Sequence, residues 1–213
     1  MGAFKKIGDI IFEYFVISIL LIASLLLVIP FVPMWISIIG YFNKKREQRM
    51  LKDIYTTFKD NYKIILKFSI VELLLLVFSV LNLYYFSVNY NNTYLFIIVI
   101  STITGLMSLL FLVNAPMIII NMNVSLKQLL FNCFTLTFGG LGRTFLSMVL
   151  IIGALIIFLY FPYIGPLLVY FLPFGVADMI KENMYKLKAK RLKTTVRELK
   201  EKENRDEFLE EDL

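Results

Sequence analysis

Residues 25–48 read "LLLVIPFVPMWISIIGYFNKKREQ", an apolar run interrupted by Pro30 and Pro33 and stopped by a cluster of positive charge. How this run meets a bilayer decides which way every later segment points. As continuous helix, residues 12–41 would reach about 45 Å at the usual rise per residue. That exceeds a hydrocarbon core of about 30 Å but falls short of two crossings. The reading adopted is one crossing that bends at Pro30 and Pro33 and runs on along the inner interface. The alternative is a re-entrant hairpin that keeps Lys5 and Lys6 inside.

The rest of the chain belongs in the same solvent. Hydrophobic residues make up 59% of the 213 and charged residues 18%, whereas soluble domains average about 25% charged. The placement of charge decides more than the totals: there is none between Glu72 and Lys127, and none between Arg143 and Asp178. A helical crossing needs about 20 apolar residues, so the first gap holds two spans and the second a compact hairpin. These runs lack the polar face of a buried soluble helix and the alternation of a membrane barrel. The sequence therefore predicts an all-α, polytopic transmembrane helical bundle. Its five spans fall at 12–41, 62–85, 94–120, 144–161 and 163–180 within a transmembrane domain 1–180, and 181–213 form a charged cytosolic tail. The opening "MGAFKKIGDIIFEYF" is a poor secretory signal, because Asp9 and Glu13 interrupt it and no A-x-A site follows. It is expected to stay in the mature chain.

An internal echo bears on direction. "VPMWISI" (32–38), "APMIIIN" (115–121) and "GPLLVYF" (165–171) each place a proline before an aliphatic run. "TFKDNYKIILKFSIV" (57–71) aligns without gaps on "TFGGLGRTFLSMVLI" (137–151), pairing Lys63 with Arg143. Read as repeats, these make the first, third and fifth spans proline-broken and parallel.

The positive-inside rule then sets the orientation. The connector 43–67 is rich in Lys and Arg, the next connector carries Lys127 and Arg143 without an acid, and 181–197 are strongly basic. The other two connectors, "FSVNYNNTY" (86–94) and "YFPYIG" (160–165), are uncharged and aromatic, as an outer interface would be. The amino terminus is thus expected outside and the carboxyl terminus in the cytosol. Lys44, Lys45, Arg46, Arg49, Lys186, Lys188, Lys190 and Arg191 are expected to meet an anionic inner leaflet.

A proline-broken first span, a basic connector and "FKDNYK" (58–63) opening the second span resemble the YesL-like family of bacterial membrane proteins. Phe58, Lys59, Asn61 and Lys63 carry that entry motif, while "VPMWIS" stands where the family often has Gly-Pro-Ala. The resemblance covers most of residues 10–180. It implies a bacterial cell-membrane protein of five or six spans and unassigned activity. It also implies an association with carbohydrate uptake and sensing systems.

Little in the chain suits catalysis. There is no histidine, which removes the commonest general base and metal ligand, and neither a metal nor a cofactor is expected. The single Cys133 excludes an intrachain disulfide and reads as a small packing residue. Glu72 is the one ionisable side chain well inside a span, and intramembrane acids face a partner or a water-filled cavity. Ser69, Glu72 and Ser79 share one helical stripe; Ser101, Thr104, Gly105 and Ser108 share another. Two readings follow: a protonated Glu72 as interhelical glue, or a proton- or ligand-binding site. Asn114 is the second candidate, placed to satisfy a carbonyl that Pro116 frees. Gly139, Gly140 and Gly142 read as a flexible turn, since no Lys-Ser/Thr completes a phosphate loop. "NNT" (91–93) and "NVS" (123–125) match a glycosylation pattern incidentally.

The tail turns from basic (181–197) to acidic (198–213), as a helix projecting from the last span and reaching into the cytosol. Beyond the bilayer, the expected partner is a membrane transport or sensor protein. Nucleic acid is not expected, because topology already accounts for the basic residues. The leading expectation is a non-enzymatic accessory or sensing component, and the alternative is a small secondary transporter using Glu72.

Overall fold

A computed structural model describes residues 2–27, 29–44, 49–89, 95–160, 165–192 and 198. The described residues form seven helices and no strand: α1 (Gly2–Leu27), α2 (Phe31–Asn43), α3 (Lys52–Val88), α4 (Leu95–Asn121), α5 (Leu126–Gly139), α6 (Leu141–Tyr160) and α7 (Gly165–Leu192). Two of them, over Lys52–Phe86 and Leu95–Asn121, are long and apolar enough to cross a membrane. A third candidate is the pair Leu126–Gly139 and Leu141–Ala154, bent by 100° at its break.

The segment expected to cross once and bend at Pro30 and Pro33 is two helices, α1 and α2. Proline lacks an N–H and fixes φ, so it is best tolerated in a helix's first turn. Pro30 accordingly sits at the N-cap of α2, with Pro33 three residues on. The Met34 N–H donates to the Pro30 carbonyl at 3.0 Å, and the Ser37 hydroxyl donates to that of Pro33 at 2.8 Å. At 13 residues, α2 is about 20 Å long, shorter than the hydrocarbon core. It carries no charge and is buried on nearly every side, from Val32 and Trp35 to Phe42, against α1, α3, α4 and α7.

The expected connector 43–67 is mostly helix, because α3 begins at Lys52 and runs unbroken to Val88. Its start is fixed electrostatically. The Asp53 carboxylate accepts the Met50 N–H at 2.8 Å and pairs with Lys44 at 2.9 Å, placing negative charge where a helix N-terminus favours it. The α3 helix lies close on α2 because Gly40 has no side chain: a Cβ there would meet Thr57 Cγ2 at 2.6 Å.

The echo between 57–71 and 137–151 does not survive as a structural repeat. "TFKDNYK" lies inside α3, whereas the aligned "TFGGLGR" spans the break between α5 and α6. Two consecutive glycines weaken a helix where Lys59 and Asp60 do not. The prolines differ too: Pro116 lies inside the continuous helix α4. α5 itself falls where a polar connector was expected. Ser125 and Gln128 form a capping box at its start, so "NVS" is a helix cap.

Core burial is uneven along the α3–α4 hairpin. Leu112–Ile119 of α4 are buried throughout with Ile65 and Phe68 of α3. Towards the hairpin's other end Leu74, Phe78, Leu81, Tyr84, Phe96, Val99 and Ile103 are exposed. A contiguous apolar surface of this extent suits lipid, not water.

Candidate functional site

Polar side chains gather along the inner seam of the hairpin. Antiparallel packing places Glu72 of α3 opposite Ser108 of α4, and the Ser108 hydroxyl donates to Glu72 Oε1 at 2.6 Å. Neither residue has exposed surface. The bond joins the two stripes anticipated from sequence. One heptad further along α3 is Ser79, which lies against Gly105 of α4 at 3.3 Å from where a Cβ would stand. Ser101 is one turn before Gly105 on the same face and is fully buried.

The remaining anticipated residues divide. The Ser69 hydroxyl donates to the Ile65 carbonyl of its own helix at 2.7 Å. Thr104 does likewise to Ile100 at 2.9 Å, on a less buried part of α4, and takes no part in the seam. Asn114 Nδ2 donates to the Leu110 carbonyl at 3.2 Å and to Thr137 Oγ1 of α5 at 3.0 Å. Asn114 therefore does not serve the carbonyl that Pro116 frees. That carbonyl belongs to Leu112, four residues back, and it accepts the Trp35 indole N–H from α2 at 3.1 Å.

The seam is only partly satisfied. Glu72 Oε2, Ser79 Oγ, Ser101 Oγ and Asn114 Oδ1 are buried with no hydrogen-bond partner in the protein. Most buried polar side-chain atoms find one, so the three along the α3–α4 seam stand out, with Asn114 turned to α5 beside them. The fully buried Cys133 of α5 is within electrostatic reach of Glu72, and Thr137 lies one turn further on the same face.

Two of the expected lipid-facing cations are engaged within the protein. Lys44 pairs with Asp53. The Arg49 guanidinium donates to the carbonyls of Phe42 at 3.0 Å and Lys44 at 2.9 Å. It also stands over the rings of Tyr41, Phe42 and Phe174, at 5.2 Å from that of Phe42, closing the carbonyl end of α2. Lys45 and Arg46 lie outside the described residues, as do the side chains of Lys186, Lys188, Lys190 and Arg191.

A second cluster holds the elbow between α5 and α6. Asn183 of α7 donates to the Gly140 carbonyl and to Thr144 Oγ1, each at 3.4 Å, while Arg143 pairs with Glu182 at 3.5 Å. A Cβ at Gly140 would stand 2.6 Å from the Asn183 side chain, so Gly140 is a fitted contact, whereas one at Gly142 would meet nothing within 4 Å. Trp35, Thr137 and Asn183 were not singled out from sequence. For Trp35 a signal existed: a single Trp in the chain and a proline within a later span, hence a donor and an orphaned carbonyl.

This fold and site define a class, that of all-helical proteins with two or three helices able to cross a bilayer and a buried acid between them. No protein-family model, curated protein or solved structure matches the chain.

Proposed function

We propose that this is a multi-pass membrane protein without enzymatic activity, acting as an accessory or sensing partner of a transport system. Glu72 is then a structural tie between α3 and α4. The observation that carries this reading is the Glu72–Ser108 bond: a carboxyl with no exposed surface, held across the hairpin at 2.6 Å. The absence of histidine from the chain is consistent with it. The resemblance to YesL-like proteins supplies the carbohydrate-uptake context and bacterial location. In the proposed topology α1 and α2 make one broken crossing and α6 and α7 two more, giving five, with the amino terminus outside.

The test is a pair of substitutions. Glu72→Gln keeps a donor and an acceptor in the same shape, so thermal stability in detergent should barely change and carbohydrate uptake should persist. Glu72→Leu strands the Ser108 hydroxyl and should lower stability by about 0.6 kcal/mol, the average for a polar contact in a membrane bundle. Loss of uptake in Glu72→Gln at unchanged stability would overturn the accessory reading.

The second reading, a small secondary transporter using Glu72, is favoured by one observation. The unpartnered Oε2 and the unpartnered hydroxyls of Ser79 and Ser101 lie along the same seam.

A further inference from the structure

We propose that α5 lies in the plane of the inner leaflet as an interfacial helix, with Phe131, Phe134 and Phe138 inserted among the acyl chains. The inference rests on the membrane topology of the proposed function and gives α5 its partner, the lipid surface.

α5 has two faces. Leu129, Cys133, Leu136 and Thr137 are buried, chiefly against α4. Helical periodicity puts Lys127, Phe131, Phe134 and Phe138 on one stripe of the opposite side. The three phenylalanines are 67%, 48% and 50% exposed, and the rings of Phe134 and Phe138 stand 4.4 Å apart. Gln128, Asn132 and Thr135 line one flank of the stripe, and Leu126 and Leu130 the other. An exposed surface divided in this way, apolar on one side and polar on the other, is that of a helix lying at a membrane interface.

The α3–α4 pairing supplies the depth. The Ser108–Glu72 bond fixes the register of the two antiparallel helices. Six residues from it, on the side away from Ser79, stand Leu66 on α3 and Asn114 on α4. Lys67, beside Leu66, is exposed and is the last charge on α3 before the buried Glu72. The exposed side chains that follow, from Ile70 to Leu81, are all apolar, so α3 enters hydrocarbon near Lys67. Asn114 lies at that same level, and its bond to Thr137 at 3.0 Å ties the end of α5 there. α5 and α6 meet at a bend of 100°. With α6 crossing the bilayer, α5 therefore runs along its surface. Leu141 and Phe145, each 54% exposed, continue the apolar surface onto α6. Lys127 is exposed and no acid lies between Met122 and Gly139, which suits the anionic headgroups of an inner leaflet.

Spin labels test this in the full chain, reconstituted in vesicles of phosphatidylcholine and phosphatidylglycerol. Cys133→Ala removes the native thiol. Single labels are then placed through Phe131→Cys, Phe134→Cys and Phe138→Cys, through Gln128→Cys and Asn132→Cys on the polar flank, and through Leu81→Cys on α3. Oxygen concentrates in hydrocarbon, whereas a neutral nickel chelate stays in water. The ratio of oxygen to nickel accessibility should be about fivefold higher at the three phenylalanine positions than on the polar flank. Nickel access at those three equal to that at position 128 would put the ridge in water and overturn the proposal. Exclusion of both probes would show the ridge covered by a second copy or another protein, and overturns it equally. Leu81→Cys separates the two levels of failure. Nickel access there removes the membrane topology and the interfacial helix together; oxygen access there, with the ridge in water or covered, removes the interfacial helix alone.

Discussion

Trp35 and Pro116 act on the same atom. Pro116 withholds the N–H that would bind the Leu112 carbonyl, and the Trp35 indole supplies a replacement at 3.1 Å from 77 residues away. α4 therefore stays continuous through its proline, and α2 is held against it where both are most buried. Trp35→Phe should lower stability by about 1–2 kcal/mol, since a buried acceptor is left unmet. Pro116→Ala restores the helical donor, so Trp35→Phe should cost measurably less in that background. Equal costs in a double-mutant cycle by detergent denaturation would show that the indole packs without serving the carbonyl.

Gly40 sets the distance between α2 and α3. A methyl group there would meet Thr57 Cγ2 at 2.6 Å and Oγ1 at 3.0 Å, so Gly40→Ala should destabilise by about 1–3 kcal/mol. Thr57→Ala removes both of those atoms and should recover most of the loss, read as the thermal midpoint in detergent.

The elbow makes a parallel case. Gly140→Ala should destabilise by about 1–3 kcal/mol through its clash with Asn183. Asn183→Ala should relieve the clash, although alone it loosens the elbow. Amide exchange at Thr144 is the readout: faster in Asn183→Ala than in the parent chain.

Arg49 distinguishes capping from lipid binding. Lysine keeps the charge but not the fork that reaches two carbonyls and lies over aromatic rings. Arg49→Lys should therefore lower stability by about 1–2 kcal/mol. A headgroup contact alone would leave stability in zwitterionic detergent unchanged.

Orientation is tested by introduced cysteines. Asn91→Cys should react with an impermeant thiol reagent added to intact cells, and Gln48→Cys should not. Labelling at position 48 from outside would reverse the proposed topology.

The charge-free stretch between Glu72 and Lys127 already marked the α3–α4 hairpin, because hydrocarbon excludes charge over a length that helix geometry converts directly into residues. The two small-polar stripes likewise marked faces by which helices could approach closely, since side-chain periodicity on a helix is local; that Glu72 meets Ser108 came from the structure. Only the tertiary structure decided the rest. That α2 is an enclosed helix, that α5 exists with its elbow pinned by Asn183, and that Trp35 answers Pro116 all depend on partners distant in the chain. Hydropathy records which solvent a residue tolerates. It does not record which donor reaches a carbonyl left open on another helix.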